Sequence, residues 1–451
     1  VRYTQVQKQI IKSGIFNKLN SFNELKKRIS KTKSLNNRDV QNTKGDIFEI
    51  FCEAYLTVNK EYQTKKVYPQ KATPFAIRKK LNLPTRDDGW DGVYETIDGS
   101  YATYQAKFRT KDEKLLWQGD NGLSSTIAKG QRADIIHLIT TVNKIPSSFT
   151  NSDKVLQTLG NSLENIDKRY FLKIENWLKN KKFTKEGIHY PEPYQKEALH
   201  KIKEELKTNN RATVIMACGA GKTDIGVWEY LRRKPKLSLV LVPSIALIKQ
   251  IRADWLSQIQ ENVMTFQICS SKDTTKREDA IIIKEKDLDF KISTDKNELK
   301  YWLQKKIEIP KIIFSTYQSS PVMNEVMKKY VIDFAVFDEA HRTATVNRNS
   351  DSYFSNALFD ENIKIKKRLF MTATRRIGSK TMRHKEGDEK LNINMDNHEL
   401  YGNVCHSLSF TKAAKTHKCI AQLKIIVSEI FSDEVDNART RISATHIEVK
   451  N

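Results

Sequence analysis

A β-prone run at residues 212–216 leads directly into Ala217-Cys218-Gly219-Ala220-Gly221-Lys222-Thr223, and a helical pattern follows at 224–231. A strand ending in a glycine-rich turn that opens a helix is the context a phosphate-binding loop requires. The unit also restricts the fold. Strands connected through helices pair in parallel and need helices over both faces of their sheet. Apolar runs at 238–243, 312–315, 332–337 and 367–371, separated by helical stretches, supply the further strands. Gly219 and Gly221, with Ala220 between them, let backbone N–H groups curl around phosphate oxygens without Cβ clashes. Lys222 is placed to reach the β- and γ-phosphates of ATP, and the Thr223 hydroxyl to hold Mg2+. Met216 stands where the general pattern has its first glycine.

The run 332–337 ends in Asp338-Glu339-Ala340-His341. An acid at the carboxyl end of a buried parallel strand lies in the crevice where such sheets bind ligands. Asp338 is therefore expected to meet Mg2+ through its water shell, and Glu339 to polarise the attacking water. In this order the motifs resemble superfamily 2 helicases. Pro193-Tyr194-Gln195 is similar to that family's adenine-reading segment, which implies that Gln195 contacts the base. Val242-Pro243-Ser244 and Phe314-Ser315-Thr316-Tyr317-Gln318-Ser319 resemble its strand-contacting motifs. That implies contacts to the DNA sugar–phosphate backbone from Pro243, Ser244, Thr316 and Tyr317. Met371-Thr372-Ala373-Thr374 resembles the motif that couples hydrolysis to DNA contact through residues such as His341.

The front of the chain carries a second pattern. Residues 44–56 space apolar side chains as a buried helix does, with Glu49 and Glu53 four apart on one face. Gly89-Trp90-Asp91 then leads into a hairpin that turns at Ile97-Asp98-Gly99-Ser100 and returns through Gln105 and Lys107. Strand alternation sends Gln105 and Lys107 to one face. Asp91, the Gln105 carbonyl and Lys107 can then converge, the first two to ligate Mg2+ and the third to orient water or stabilise charge. Either Asp88 or Asp91 could be the acid ligand; Asp91 is the favoured one. This pattern resembles the Mrr-like branch of the PD-(D/E)xK nucleases, which implies that Glu49 also lies near the metal. Trp90 stands where a literal Pro-Asp motif has proline.

The expected architecture is α/β: a restriction-endonuclease-like α/β domain, then a RecA-like parallel-sheet domain, with a second RecA-like lobe only begun. The expected divisions are a basic extension at 1–40, the nuclease at 41–180, a linker at 181–187, the first motor lobe at 188–405 and the start of the second at 406–451. Nuclease and motor together resemble the single-chain type ISP restriction enzymes, in which an ATP-driven translocase pulls duplex DNA and the nuclease cuts it. The resemblance implies that a second lobe, and methyltransferase and target-recognition regions, come from a missing C-terminal part or a partner subunit. A start at Val1 fits a fragment. Arg375 departs from the proline usual in that family.

A net charge of +24 favours a polyanionic partner, here duplex DNA tracked along its backbone. No apolar run approaches the ~18 residues of a membrane span. Five scattered cysteines without metal-ligand spacing fit the reducing cytoplasm. Two other readings compete: a repair or remodelling helicase whose front domain only grips DNA, and a non-catalytic nucleic-acid-binding fragment.

Overall fold

The computed structural model describes residues 3–33, 40–85, 89–119, 122–152, 154–179, 188–269, 290–344, 352–376 and 393–421. They build two sheets, each with its own core. The first has five strands in sequential order: β1 (Thr64–Pro69), β2 (Gly92–Thr96), β3 (Tyr101–Lys107), β4 (Ile135–Thr140) and β5 (Val155–Thr158). β1, β2 and β3 are antiparallel neighbours, while β3, β4 and β5 run parallel. The turn between β2 and β3 is closed by Asp98, whose carboxylate accepts hydrogen bonds from Thr96 Oγ1 and the Ser100 N–H, with Gly99 at φ 83°.

One face of this sheet is covered by the long helix Val40–Val58, here α3, which buries Phe48, Phe51, Tyr55 and their neighbours against Tyr104 and Phe108. Two shorter helices, α1 (Gln5–Lys12) and α2 (Phe22–Lys31), pack on α3 through Ile10, Phe22, Leu25 and Ile29. The basic extension is thus folded into the core of the front unit through its apolar stripe. The expected linker at 181–187 lies outside the described residues.

The second sheet has seven parallel strands: β6 (Arg211–Met216), β7 (Leu237–Val242), β8 (Met264–Ile268), β9 (Lys311–Thr316), β10 (Ile332–Phe337), β11 (Ile365–Thr372) and β12 (Asn403–Leu408), in the order β12-β6-β11-β10-β7-β9-β8. Alternate residues enter opposite cores. Along β7, Val240 and Val242 face one helical layer, while Leu237, Leu239 and Leu241 face the other. A strand buried on both faces must be apolar throughout, which explains the unbroken Leu-Ser-Leu-Val-Leu-Val run.

The expected start of a second lobe at 406 falls inside a strand of the first lobe's sheet. β12 runs across that position in parallel pairing with β6, and Leu408 and Ala413 pack into the first lobe's core. Residues 406–421 therefore belong to the first lobe; the rest of the expected second-lobe start, 422–451, lies outside the described residues. Among the described residues, no helix is long and apolar enough to cross a membrane.

Candidate functional site

β6 delivers the phosphate loop to the carboxyl edge of the seven-stranded sheet. Gly219 and Gly221 take φ values of 81° and 78°, the left-handed region that side chains disfavour. Gly221 also has no room for a side chain, since a Cβ there would lie 2.3 Å from Gln195 Nε2. It caps the helix Lys222–Arg233, so the loop's N–H groups and the helix N-terminus converge. Lys222 is buried, with Nζ donating to the Met216 carbonyl at 3.3 Å and lying 3.8 Å from Glu339 Oε1. The helix Pro193–Thr208 holds Gln195 against this loop. Its Nε2 donates to the Ala220 carbonyl at 3.3 Å and its Oε1 accepts from the Glu192 N–H at 2.9 Å. Tyr194 donates to the same carbonyl at 3.4 Å, and its ring lies 5.0 Å from that of His417.

Asp338 and Glu339 stand on the neighbouring edge, at the end of β10. Asp338 is buried and its Oδ1 has no hydrogen-bond partner. Burial first, and the adjacent Glu339 charge second, push its carboxyl up to about 6. Glu339 goes the other way: its contact with His341 and the field of Lys222 hold it below the usual carboxylate range. Glu339 sits at φ 48°, a left-handed conformation that turns the chain sharply after the strand. His341 Nδ1 lies 3.4 Å from Glu339 Oε2 and 3.0 Å from Thr372 Oγ1 at the end of β11. Thr372 in turn bonds both the N–H and the carbonyl of Thr374. A continuous polar chain therefore runs from Lys222 through Glu339 and His341 to the Thr372 turn. The buried, unpartnered Asp338 oxygen and the Thr223 hydroxyl at the helix start fit a cation bound with a nucleotide.

The four residues expected at DNA divide. Pro243 and Ser244 are half-buried where β7 meets the helix Ile245–Gln258, with Ser244 as its N-cap. Thr316 and Tyr317 are fully buried. Thr316 Oγ1 pairs with Ser319 Oγ at 2.7 Å, and Tyr317 Oη donates to the Asp338 carbonyl at 2.7 Å. Both side chains point into the lobe, away from the expected DNA contact, and Tyr317 props the strand end that carries Asp338.

In the front unit, Asp91 precedes β2 and is nearly buried. Its Oδ2 accepts from Gln105 Nε2 at 2.7 Å and from the Ala106 N–H at 2.6 Å. Gln105 Oε1 is buried without a partner. Glu49, on α3, is half-buried, while Glu53 is buried. The charges of Asp91 and Glu49 add to burial in raising the Cys52 thiol, so both carboxylates act on one neighbourhood. Lys107 ends β3 and is half-buried. Asp88, the alternative acid, lies outside the described residues. Among the described residues, no group of three or more His, Cys, Asp or Glu side chains is arranged to hold a metal.

One set of residues escaped the sequence reading: those joining the two units. Arg252, fully buried, lies 3.2 Å from Glu61 Oε2, bonds the Glu61 carbonyl, and sits 4.6 Å over the Phe290 ring. The Gln63 amide accepts from the Thr265 N–H at 2.8 Å and donates to its carbonyl at 3.2 Å. A signal existed. Ile245, Ile248, Arg252 and Leu256 share one helical stripe, so Arg252 is a charge on an apolar face.

Comparison with known proteins agrees with this geometry. The family described as "Type III restriction enzyme, res subunit" matches residues 188–377. The probable helicase A859L of African swine fever virus is 28% identical over 216 residues, which is 47% of this chain and 21% of that protein, in both isolates compared. Among solved structures, the ATP-dependent type ISP restriction-modification enzyme LlaBIII bound to DNA superposes with a TM-score of 0.64 at 24% identity, over 84% of this chain and 25% of that one. This chain thus spans about a quarter of that enzyme and about a fifth of the viral helicase. Residues 188–377 are a superfamily 2 helicase domain, and the chain as a whole resembles the type ISP restriction-modification enzymes.

Proposed function

We propose that this chain is the nuclease and first motor lobe of an ATP-driven translocase that moves on duplex DNA and cuts it, in restriction–modification or antiphage defence. The observation that carries the cutting half is the Asp91–Gln105 pair. One Asp91 oxygen is fixed by two donors, while the buried Gln105 carbonyl has none. Leaving such a carbonyl unsatisfied costs about 1–3 kcal/mol, an expense that a cation against it removes. Asp91, Glu49 and Gln105 Oε1 would hold Mg2+, which when bound polarises the phosphodiester and acidifies a water. Lys107, two residues along the same strand, stabilises the charge that grows on the phosphate.

In the motor, the loop N–H groups and Lys222 bind the β- and γ-phosphates of ATP, and Gln195 reads the base from the adjoining helix. Thr223 and Asp338 would hold the nucleotide's Mg2+. Glu339, kept ionised by His341 and Lys222, orients and deprotonates the attacking water. Thr372 passes the state of that site to the DNA side, where Pro243 and the Ser244 helix N-terminus face the backbone. Closure on ATP needs a second lobe with an arginine finger. We assign it, with methyltransferase and target-recognition regions, to a further C-terminal part or to a partner subunit.

The second reading, a helicase whose front unit only grips DNA, is favoured by one observation, the lack, among the described residues, of a three-residue acid, His or Cys cluster. Supercoiled plasmid cleavage with Mg2+, alongside fluorescent-nucleotide binding, separates the two. Lys107→Ala is expected to abolish nicking with nucleotide binding intact, and Lys222→Ala to abolish nucleotide binding. Nicking that survives Lys107→Ala, or an intact chain that never nicks with Mg2+ or Mn2+, overturns the nuclease assignment.

A further inference from the structure

We propose that the helical pair α1–α2 is a duplex-DNA-binding surface beside the cutting site; its placement at a cutting site rests on the nuclease reading above. Between Tyr3 and Lys33 the sequence has eight Lys and Arg residues against one acid, Glu24. The fold sorts them. Ile10, Phe22, Leu25 and Ile29 turn inward, while Lys8, Lys12, Lys18, Lys27, Lys31 and Lys33 are exposed. Arg28 is set apart, because its guanidinium donates to the carbonyls of Ile15 and Asn17 and so fixes the connection between the helices.

Two features single this surface out from ordinary basic exterior. Lys8 and Lys12, and likewise Lys27 and Lys31, are like-charge pairs one helical turn apart, a spacing that destabilises an isolated helix. Elsewhere such lysines are answered by acids, directly as in Lys201–Glu197 and Lys179–Glu175, or at one member of a like-charge pair, as Glu204 answers Lys207 beside Lys203 and Glu325 answers Lys296 beside Lys300. None of the four arm lysines forms an ion pair among the described residues. A surface that keeps uncompensated repulsion on a rigid frame matches a polyanion, whose phosphates supply the missing counter-charges.

The second feature is position. Phe22 of α2 packs against Phe51 and Phe48 of α3 with centroids 5.3 and 6.3 Å apart. Phe48 also meets Phe108, 5.7 Å away and next to Lys107. The same helix α3 carries Glu49. Three buried aromatic rings thus connect the basic pair to the strand end bearing Lys107, two ring contacts away. The ligand is a regular double-stranded backbone, since lysines on two separate helices form a broad charged face with no exposed aromatic on which single-stranded bases would stack.

The test uses the 1–451 chain with Asp91→Ala, so that no substrate is lost, and a short fluorescent duplex titrated over a range of salt. In the arm variant, Lys8, Lys12, Lys27 and Lys31 are changed to Glu; a second version carries Gln at the same positions. The control reverses Lys203, Lys207, Lys328 and Lys364, exposed lysines near the amino edge of the motor sheet, away from the nucleotide. Each lost phosphate contact lowers the slope of log K against log salt by about 0.9, so the arm variant is expected to lose roughly 3–4 in slope. Affinity near physiological salt should fall at least ~10-fold, with the Gln version intermediate and the control losing far less. Equal losses in arm and control, or an arm variant that binds duplex as the parent does, overturn the surface. A folding defect is separated by circular dichroism and by the Gln version, which adds no acids. Cleavage is scored separately with Asp91 intact. Arm-dependent binding without any cleavage leaves the surface standing and removes the nuclease reading.

Discussion

Asp338 is a carboxylate that the motor lobe holds at a cost, and replacing it should make that cost measurable. The group is 8% exposed, its Oδ1 is unpartnered, and its carboxyl titrates at about 6 instead of the usual 3.8. At about 1.4 kcal/mol per pH unit, that difference is worth up to about 3 kcal/mol. Because the folded value lies above the unfolded one, the folded lobe binds more proton than the unfolded chain between pH 4 and pH 6. Stability from this group is therefore fully present below about pH 4 and is lost as pH rises through about 6. Asp338→Asn removes the charge but leaves an unpartnered buried amide, which costs about 1 kcal/mol. The variant, free of nucleotide and in chelator, is thus expected to be about 2 kcal/mol more stable than the parent at pH 8. It should be equal or slightly weaker near pH 4. For a lobe of this size, about 2–4 °C per kcal/mol makes the pH 8 gain roughly 4–8 °C in Tm. The assay is thermal or urea unfolding of both proteins at three pH values. A stability gap that does not change with pH would falsify the assignment of the cost to ionisation.

Three further outcomes follow from contacts elsewhere. Gly221→Ala puts a Cβ into Gln195 and a side chain at φ 78°, a conformation costing about 1–2 kcal/mol, so Tm should fall by several degrees and nucleotide affinity by at least ~10-fold. Retained affinity in a fluorescent-nucleotide titration would show that the loop does not need this glycine. Arg252→Ala breaks a buried charge pair between the two units and should cost about 3–5 kcal/mol, splitting one unfolding transition into two in calorimetry; a single unshifted transition argues against coupling. Gln105→Glu sets a second carboxylate against Asp91 Oδ2, now 2.7 Å from the amide. Like charges that close raise one pKa strongly, so Tm should drop at pH 8 and recover on acidification or Mg2+ addition. Indifference to both would mean that no cation belongs there.

The residues that sequence placed well are those whose chemistry is local. A glycine at positive φ before a helix, or an acid at the end of an apolar strand, declares its geometry within a few positions. That is why Gly221, Lys222, Asp338 and the Asp91–Gln105 spacing were legible. Thr316 and Tyr317 show the limit. Their motif fixed the register at the end of β9, but the direction of each side chain depends on Ser319 and Asp338 across the fold. β12 was hidden for another reason. Asn403-Val404-Cys405-His406-Ser407-Leu408, an outer strand of the sheet, is broken by Asn403, His406 and Ser407 and so lacks the apolar run that marked the inner strands.

The contacts between the units bear on how a cut could be tied to movement. β8 is an outer strand of the motor sheet, and an open strand edge invites pairing with other chains. Here the Gln63 side chain occupies that edge, answering the Thr265 N–H and carbonyl as a neighbouring peptide would. Lys60 caps the end of the adjoining helix by donating to the Gln260 carbonyl at 2.6 Å, and Glu61 holds Arg252. Asp98, which closes the hairpin between β2 and β3, also pairs with Lys305 of the motor. The hairpin that bears Gln105 is therefore fastened at its turn to the helicase lobe, and the turn at residues 60–63 fastens the end of α3, which bears Glu49. Buried and charge-assisted contacts at both points favour one rigid body over two loosely tethered ones. In such a body the Asp91 site keeps a fixed distance from the nucleotide edge. On the proposed function, nucleotide-driven motion then changes where DNA lies relative to both sites, while the geometry around Asp91 stays the same.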